Sequence, residues 1–162
     1  MRRRPSFMLI LGVLLPLVGS QPATAAGTWM WPVSGPIIRG FDPPTSPYGS
    51  GHRGVDIAAP LGTPVLAPAP ATVTFAGQVA GHLFITLDHG GGLESTYSWL
   101  ASIAVRKGDQ VVTGDVIGSS GPGHPTDVIA NLHLGVRLHD VYVEPLDYLG
   151  PASVSSYIRL AA

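Results

Sequence analysis

The 162-residue sequence predicts an all-β fold: a compact sandwich or barrel-sandwich of short antiparallel strands joined by Gly/Pro-rich turns. Three observations carry that expectation. Beyond the first 25 residues no long stretch repeats its apolar positions with helical period. Short runs rich in valine, isoleucine, threonine and aromatics recur instead. Between them, 21 glycines and 16 prolines supply frequent breaks.

The N-terminal segment stands apart. Arg2, Arg3 and Arg4 form a basic start, and residues 7–18 form an apolar run too short to span a bilayer comfortably. Ala23-Thr24-Ala25 has the small-x-small pattern of a cleavage site. Residues 1–25 are therefore expected to be a signal peptide, cut after Ala25, that sends the rest out of the cytoplasm. An uncleaved anchor is the other possibility and would be the chain's one membrane contact. Loss of three arginines leaves six basic against ten acidic residues, a net charge of −4. With no basic run remaining, nucleic acid is an unsuitable partner. There is no cysteine, so packing alone must hold the domain.

Within the mature chain, strands are expected at 54–58, 64–67, 72–76, 84–88, 93–99, 110–112, 116–119 and 132–138. Gly90-Gly91-Gly92, Lys107-Gly108-Asp109 and Gly121-Pro122-Gly123 mark turns between them. The domain is placed at 28–149. Residues 150–162 form a tail, within which 152–160 suits a short helix or a trailing end.

Possible metal ligands are split between two places. His52 and Asp56 lie in Gly51-His52-Arg53-Gly54-Val55-Asp56-Ile57, and His133 lies in Asn131-Leu132-His133-Leu134-Gly135. Alternation on a strand puts positions i, i+2 and i+4 on one face, so His52 can join Asp56 and Asn131 can join His133. Two imidazoles and a carboxylate leave a fourth position open on a tetrahedral zinc, as hydrolytic chemistry requires.

These residues stand in longer motifs. The stretch from His52 through Gly54-Val55-Asp56-Ile57-Ala58-Ala59-Pro60 to Thr63-Pro64-Val65 resembles the signature of lysostaphin-type (LytM-like) zinc metallopeptidases. Trp31-Pro32-Val33-Ser34-Gly35, the Val105 to Gly118 segment, Leu132-His133-Leu134 and Glu144-Pro145-Leu146-Asp147-Tyr148-Leu149 are similar to further family segments, in the same order. The resemblance implies zinc on His52, Asp56 and His133, and activity on the peptide cross-links of bacterial peptidoglycan.

Two positions depart from the family pattern. Its His-Leu-His motif begins with a histidine that serves as general base, and Asn131 stands there instead. A second histidine assists at the transition state, and Trp99 stands there. Asparagine can orient a water or hydrogen-bond an oxyanion but cannot take a proton. A positioned base contributes about 10²–10⁴-fold, whereas zinc-bound water reaches a pKa near 7 by the metal alone. The usual mechanism is weakened rather than excluded. His124, in the loop before the His133 strand, is the substitute base if that loop folds over the metal. His89 suits a turn cap and His139 a surface turn. By alternation Tyr97 and Trp99 share a face, serving either as groove wall or as core.

Two function classes follow. One is a secreted zinc endopeptidase directed at the cell wall. The other is a catalytically silent domain that binds peptidoglycan or regulates a wall hydrolase. A lipoyl or biotinyl carrier, suggested by the echo between Gly62-Thr63-Pro64-Val65 and Lys107-Gly108-Asp109-Gln110-Val111, is disfavoured. Lys107 is the only lysine and lacks flanking methionines.

Overall fold

The computed structural model describes residues 27–46 and 49–151. The expected signal peptide and residues 152–160, read as a short helix or a trailing end, lie outside them. No helix among the described residues is long and apolar enough to cross a membrane.

All eight expected strands are present, several of them longer than their sequence runs. β1 is Ile37–Arg39, β2 Val55–Ala58, β3 Pro64–Leu66, β4 Ala71–Val79, β5 His82–Asp88, β6 Leu93–Ile103, β7 Gln110–Val111, β8 Val116–Ser120, β9 Asn131–Leu138 and β10 Val141–Val143. A short 3₁₀ turn, Pro145–Asp147, follows. β1 and β10 were not expected, because three residues at a sheet edge leave too little pattern to read. Every strand pairing is antiparallel, and the main path runs β1-β2-β9-β6-β5-β4-β7. β10 adds to β9, while β8 pairs with the far half of β6 and carries β3.

Local chemistry explains the hairpins. Ala80 and Gly81 join β4 to β5 with φ of 49° and 88°, and His139 and Asp140 join β9 to β10 with φ of 47° and 65°. Two consecutive positive φ values are the type I′ pattern, whose twist matches that of the flanking strands.

The core forms where alternate residues point inward. Val55 and Ile57 of β2, Leu132, Leu134 and Val136 of β9, Ile85 and Leu87 of β5 and Tyr97 of β6 are all fully buried. Trp29 and Leu149 close one end, tied by backbone hydrogen bonds from Trp29 N–H to Tyr148 O and from Gly150 N–H to Trp29 O.

One expectation about β6 fails. Tyr97 and Trp99 do not share a face, because the strand bulges between them. Tyr97 pairs with Ile85 and Leu100 with Leu83, so Ser98 and Trp99 stand opposite Phe84 alone. Trp99 takes φ of 62° at this point. The extra residue reverses the alternation. Tyr97 is therefore core, and Trp99 turns outward to a groove.

A polar chain crosses the core beside Tyr97. Its hydroxyl lies 2.9 Å from Ser95 Oγ, which lies 2.8 Å from His89 Nε2. His89 Nδ1–H donates to Pro70 O at 3.2 Å, and the ring lies 4.3 Å from that of Trp29. Burial pushes His89 below its ordinary pKa, against the Pro70 hydrogen bond and the charge of Asp88, which raise it. Folded His89 thus takes up its proton at lower pH than the unfolded chain, which protonates near the ordinary value of about 6.5. Its contribution to stability is complete above that value and declines as pH falls toward the depressed folded pKa. The Tm of the metal-free protein should accordingly drop between about pH 7 and pH 5, and His89→Gln should flatten that drop. Thermal melts across pH with chelator present measure both, and an unchanged slope in the variant would contradict the assignment.

Candidate metal centre

Alternation places the chemistry on the face of β2 and β9 opposite the core. Val55 and Ile57 point inward, so Asp56 points out. Leu132 and Leu134 point inward, so His133 points out. Asp56 and His133 are direct cross-strand partners, and Ser98 of β6 flanks His133 on its other side. His133 Nδ1 lies 2.7 Å from Asp56 Oδ1.

His52 joins them by a different route from the one its spacing suggested. It lies outside β2, and the chain bends at 53–54, so strand alternation does not align it with Asp56. A two-residue bridge holds it instead: His52 N–H donates to Asp42 O at 2.7 Å and Asp42 N–H to His52 O at 2.9 Å. His52 Nδ1–H donates to Gly40 O at 2.7 Å, which turns the Nε2 lone pair toward the cluster. Nε2 then lies 3.1 Å from both Asp56 Oδ1 and His133 Nδ1.

His124 is the fourth member. Its Nε2 lies 3.5 Å from Asp56 Oδ1, and the ligand atoms of His52, Asp56, His124 and His133 all fall within 4.8 Å of one another. Burial alone would raise the Asp56 carboxyl, but hydrogen bonds and charge from His133 and His52 outweigh it and hold the group well below the usual carboxylate range. Burial pushes His133 down, with Asp56 pulling it back up. An ionised carboxylate thus meets several nitrogen lone pairs in one buried place, an arrangement stable only with a cation or shared protons among them. Ligands at about 2.0–2.2 Å from a tetrahedral zinc stand about 3.3–3.6 Å apart. The donor set fits zinc: His52, Asp56 and His133 stand 2.7–3.1 Å from one another, somewhat inside that separation, and His124 stands 3.5 Å from Asp56.

Asn131 is fully buried, yet it does not line the groove over the cluster. Its Nδ2 donates to Asp127 Oδ2 at 2.8 Å and to Ile129 O at 2.9 Å. Asp127 Oδ2 also accepts the His124 backbone N–H at 2.6 Å. Asn131 therefore fastens the loop that carries His124, and Asp127 is the link that sequence reasoning missed. Its position three residues after His124 was the available signal, the spacing of a side-chain-closed turn. Gly123 makes room: with φ of 87°, a Cβ there would lie 2.2 Å from Asn131 Nδ2.

The cluster floors a groove of about 670 Å³. Phe84, Trp99 and Tyr142 contribute rings to its walls, and Arg39, Arg53 and Arg137 contribute charge. Trp99 packs on His124 with ring centroids 5.0 Å apart and on His82 at 4.1 Å. His89 and His139 lie elsewhere, in the core chain and in the β9–β10 turn. Of the residues singled out from sequence, the fold gathers His52, Asp56, His124 and His133, with Asn131 one hydrogen-bonded step behind.

A cluster of imidazoles and a carboxylate below an open groove is a donor set suited to a divalent metal ion. Residues 50–145 match the model of peptidase family M23. An uncharacterized protein of Mycobacterium tuberculosis is 38% identical over 88% of this chain and 54% of its own. The murein hydrolase activator NlpD of Escherichia coli is 30% identical over 78% of this chain and 32% of its own. Among solved structures, the antimicrobial peptidase lysostaphin from Staphylococcus simulans superposes with a TM-score of 0.66 at 28% identity, over 82% of this chain and 57% of that one. The chain belongs to peptidase family M23, in its lysostaphin-like form. It spans about half the length of the mycobacterial relative.

Gly54 marks how closely β2 and β9 approach beside the metal cluster. A Cβ there would lie 2.3 Å from Leu134 O and 2.8 Å from His133 Nε2. Gly54→Ala should destabilise the domain by about 1–3 kcal/mol, the usual cost of overpacking. It should also weaken metal binding by displacing the His133 ring. Urea unfolding and metal titration of the variant test the two effects separately.

Proposed function

We propose that this protein is an exported zinc endopeptidase that cleaves peptide cross-links in bacterial peptidoglycan. The observation that carries this is the four-residue donor cluster at the base of the groove in an M23 chain. His52, Asp56 and His133 would hold the zinc, with Gly40 O fixing the His52 tautomer. When bound, zinc supplies Lewis-acid polarisation of the scissile carbonyl and lowers the pKa of a bound water toward 7.

The chain's own residues supply the rest. His124 Nε2 is buried without a hydrogen-bond partner among the described residues. It faces the cluster and is the imidazole placed to take the proton of the attacking water. Asn131 is a positioning residue that works through Asp127 rather than on the water itself. The Trp99 ring backs His124 and walls the groove.

Charge in the groove fits the substrate class. Three of the five basic residues among those described line it, in a chain with an acidic excess. Arg137 is engaged by Glu94, and Arg53 donates to Gly49 O. Arg39 is exposed and pairs across the sheet with Asp56, so it stands beside the metal cluster. It is placed to receive a free carboxylate near the scissile bond, as peptidoglycan peptides carry. Arg39→Gln should raise KM about tenfold, the worth of one charge-assisted hydrogen bond, and leave kcat nearly unchanged. Amidating the substrate carboxylate should abolish the difference between the two proteins.

A specific observation also favours a second reading. A relative at 30% identity is named a murein hydrolase activator, and the two histidine positions of the family are Trp99 and Asn131 here. The purified protein should bind about one zinc per chain, lose it on His133→Ala, and release soluble fragments from purified peptidoglycan. Zinc binding without fragment release would favour the regulatory role, and no zinc binding would remove the enzyme.

A further inference from the structure

Resting on the zinc site proposed above, we infer that His124 is itself a metal ligand. It closes the fourth coordination position while substrate is absent and leaves it when substrate arrives.

Three features of the structure lead there. The first is distance. His124 Nε2 is 3.5 Å from Asp56 Oδ1, within the separation of about 3.3–3.6 Å expected of two ligands on one tetrahedral zinc. A nitrogen acting only on the metal-bound water would sit one hydrogen bond further out.

The second is the state of that nitrogen. It is buried and has no hydrogen-bond partner among the described residues, with Asp56 Oδ1 3.5 Å away. A buried nitrogen without a partner is costly. A metal bond removes that cost.

The third is the support behind it. Asp127 holds the His124 backbone N–H, Asn131 holds Asp127, and the Trp99 ring packs on the imidazole. Asn131 and Trp99 are the two positions where this chain departs from the family's histidines. The two departures therefore converge on one residue.

The support is also uneven. His52, Asp56 and His133 stand 2.7–3.1 Å from one another. His124 stands further out, 3.5 Å from Asp56 Oδ1 and within the 4.8 Å that bounds the set. It is carried by a loop, whereas Asp56 and His133 are carried by paired strands. The ligand that stands furthest out and is carried by a loop rather than by paired strands is the one a substrate carbonyl can displace. Once released, the imidazole is free to act as the proton acceptor described above. The resting metal is thus closed by the protein, and substrate opens it.

Cobalt(II) substitution reads this directly, without reference to peptidase activity. Four protein ligands should give the purified protein a four-coordinate visible spectrum that azide does not change. His124→Ala should open the site to water. Its spectrum should shift and respond to azide, and its cobalt affinity should fall by more than the roughly 10–100-fold that follows loss of an outer-shell partner. Asp127→Ala keeps the imidazole but frees its loop, and should acquire azide sensitivity with a smaller loss of affinity. It also provides a second route should His124→Ala fail to fold. A wild-type spectrum that already responds to azide, with affinity unchanged in His124→Ala, would overturn the inference and leave the three-ligand site standing. Failure of the wild type to bind cobalt at all would overturn both. An inactive protein with the expected spectra would support this inference while removing the peptidase.

Discussion

The pairing of β2 with β9 is the constraint on which the rest of the molecule depends. One face of this pair consists of Val55, Ile57, Leu132 and Leu134, all fully buried. Burial of each such side chain contributes about 1.5–3 kcal/mol relative to exposure, and this holds the two strands in one register. The same register sets Asp56 opposite His133 on the other face. A slip by one residue would send the ligands into the core and the aliphatics into the groove. The donor cluster therefore inherits its geometry from hydrophobic packing rather than creating it. Gly54 shows how close that packing is, since even a methyl group there would meet the backbone of β9 and the ring of His133.

The groove face is held by compensation. A buried carboxylate left alone costs several kcal/mol. Asp56 avoids that cost through His133 and His52, and His52 is in turn oriented by Gly40 O. The His52 side chain thus has a partner outside the cluster, whereas His124 Nε2 is buried without a hydrogen-bond partner among the described residues. Three members stand within 3.1 Å of one another, and His124 stands 3.5 Å from Asp56 and lines the groove.

The departures at positions 99 and 131 take on a different meaning in this setting. As isolated substitutions they subtract catalytic groups. In the fold they act together on one loop: Asn131 ties it down through Asp127, and Trp99, turned outward by the β6 bulge, packs against the imidazole it carries. Both side chains thus bear on His124.

Much of this was legible in the sequence. Period-two alternation with Gly and Pro breaks located all eight longer or better-marked strands, and the family motifs singled out His52, Asp56 and His133, which the fold brings into one cluster. Those are short-range properties, set by side-chain alternation and turn chemistry. Only the tertiary structure could decide the rest. The bulge that separates Tyr97 from Trp99 is defined by the register of β5, not by β6 itself. Arg39 joins the groove because β1, a three-residue edge strand, pairs with β2. His52 reaches the cluster by a bridge to Asp42, ten residues earlier, rather than along a strand. Asn131 turns out to address Asp127 because a loop folds back on it. The sequence by itself determined which residues could bind a metal. Long-range pairing determined which of them meet, because no local pattern records which strand lies beside which.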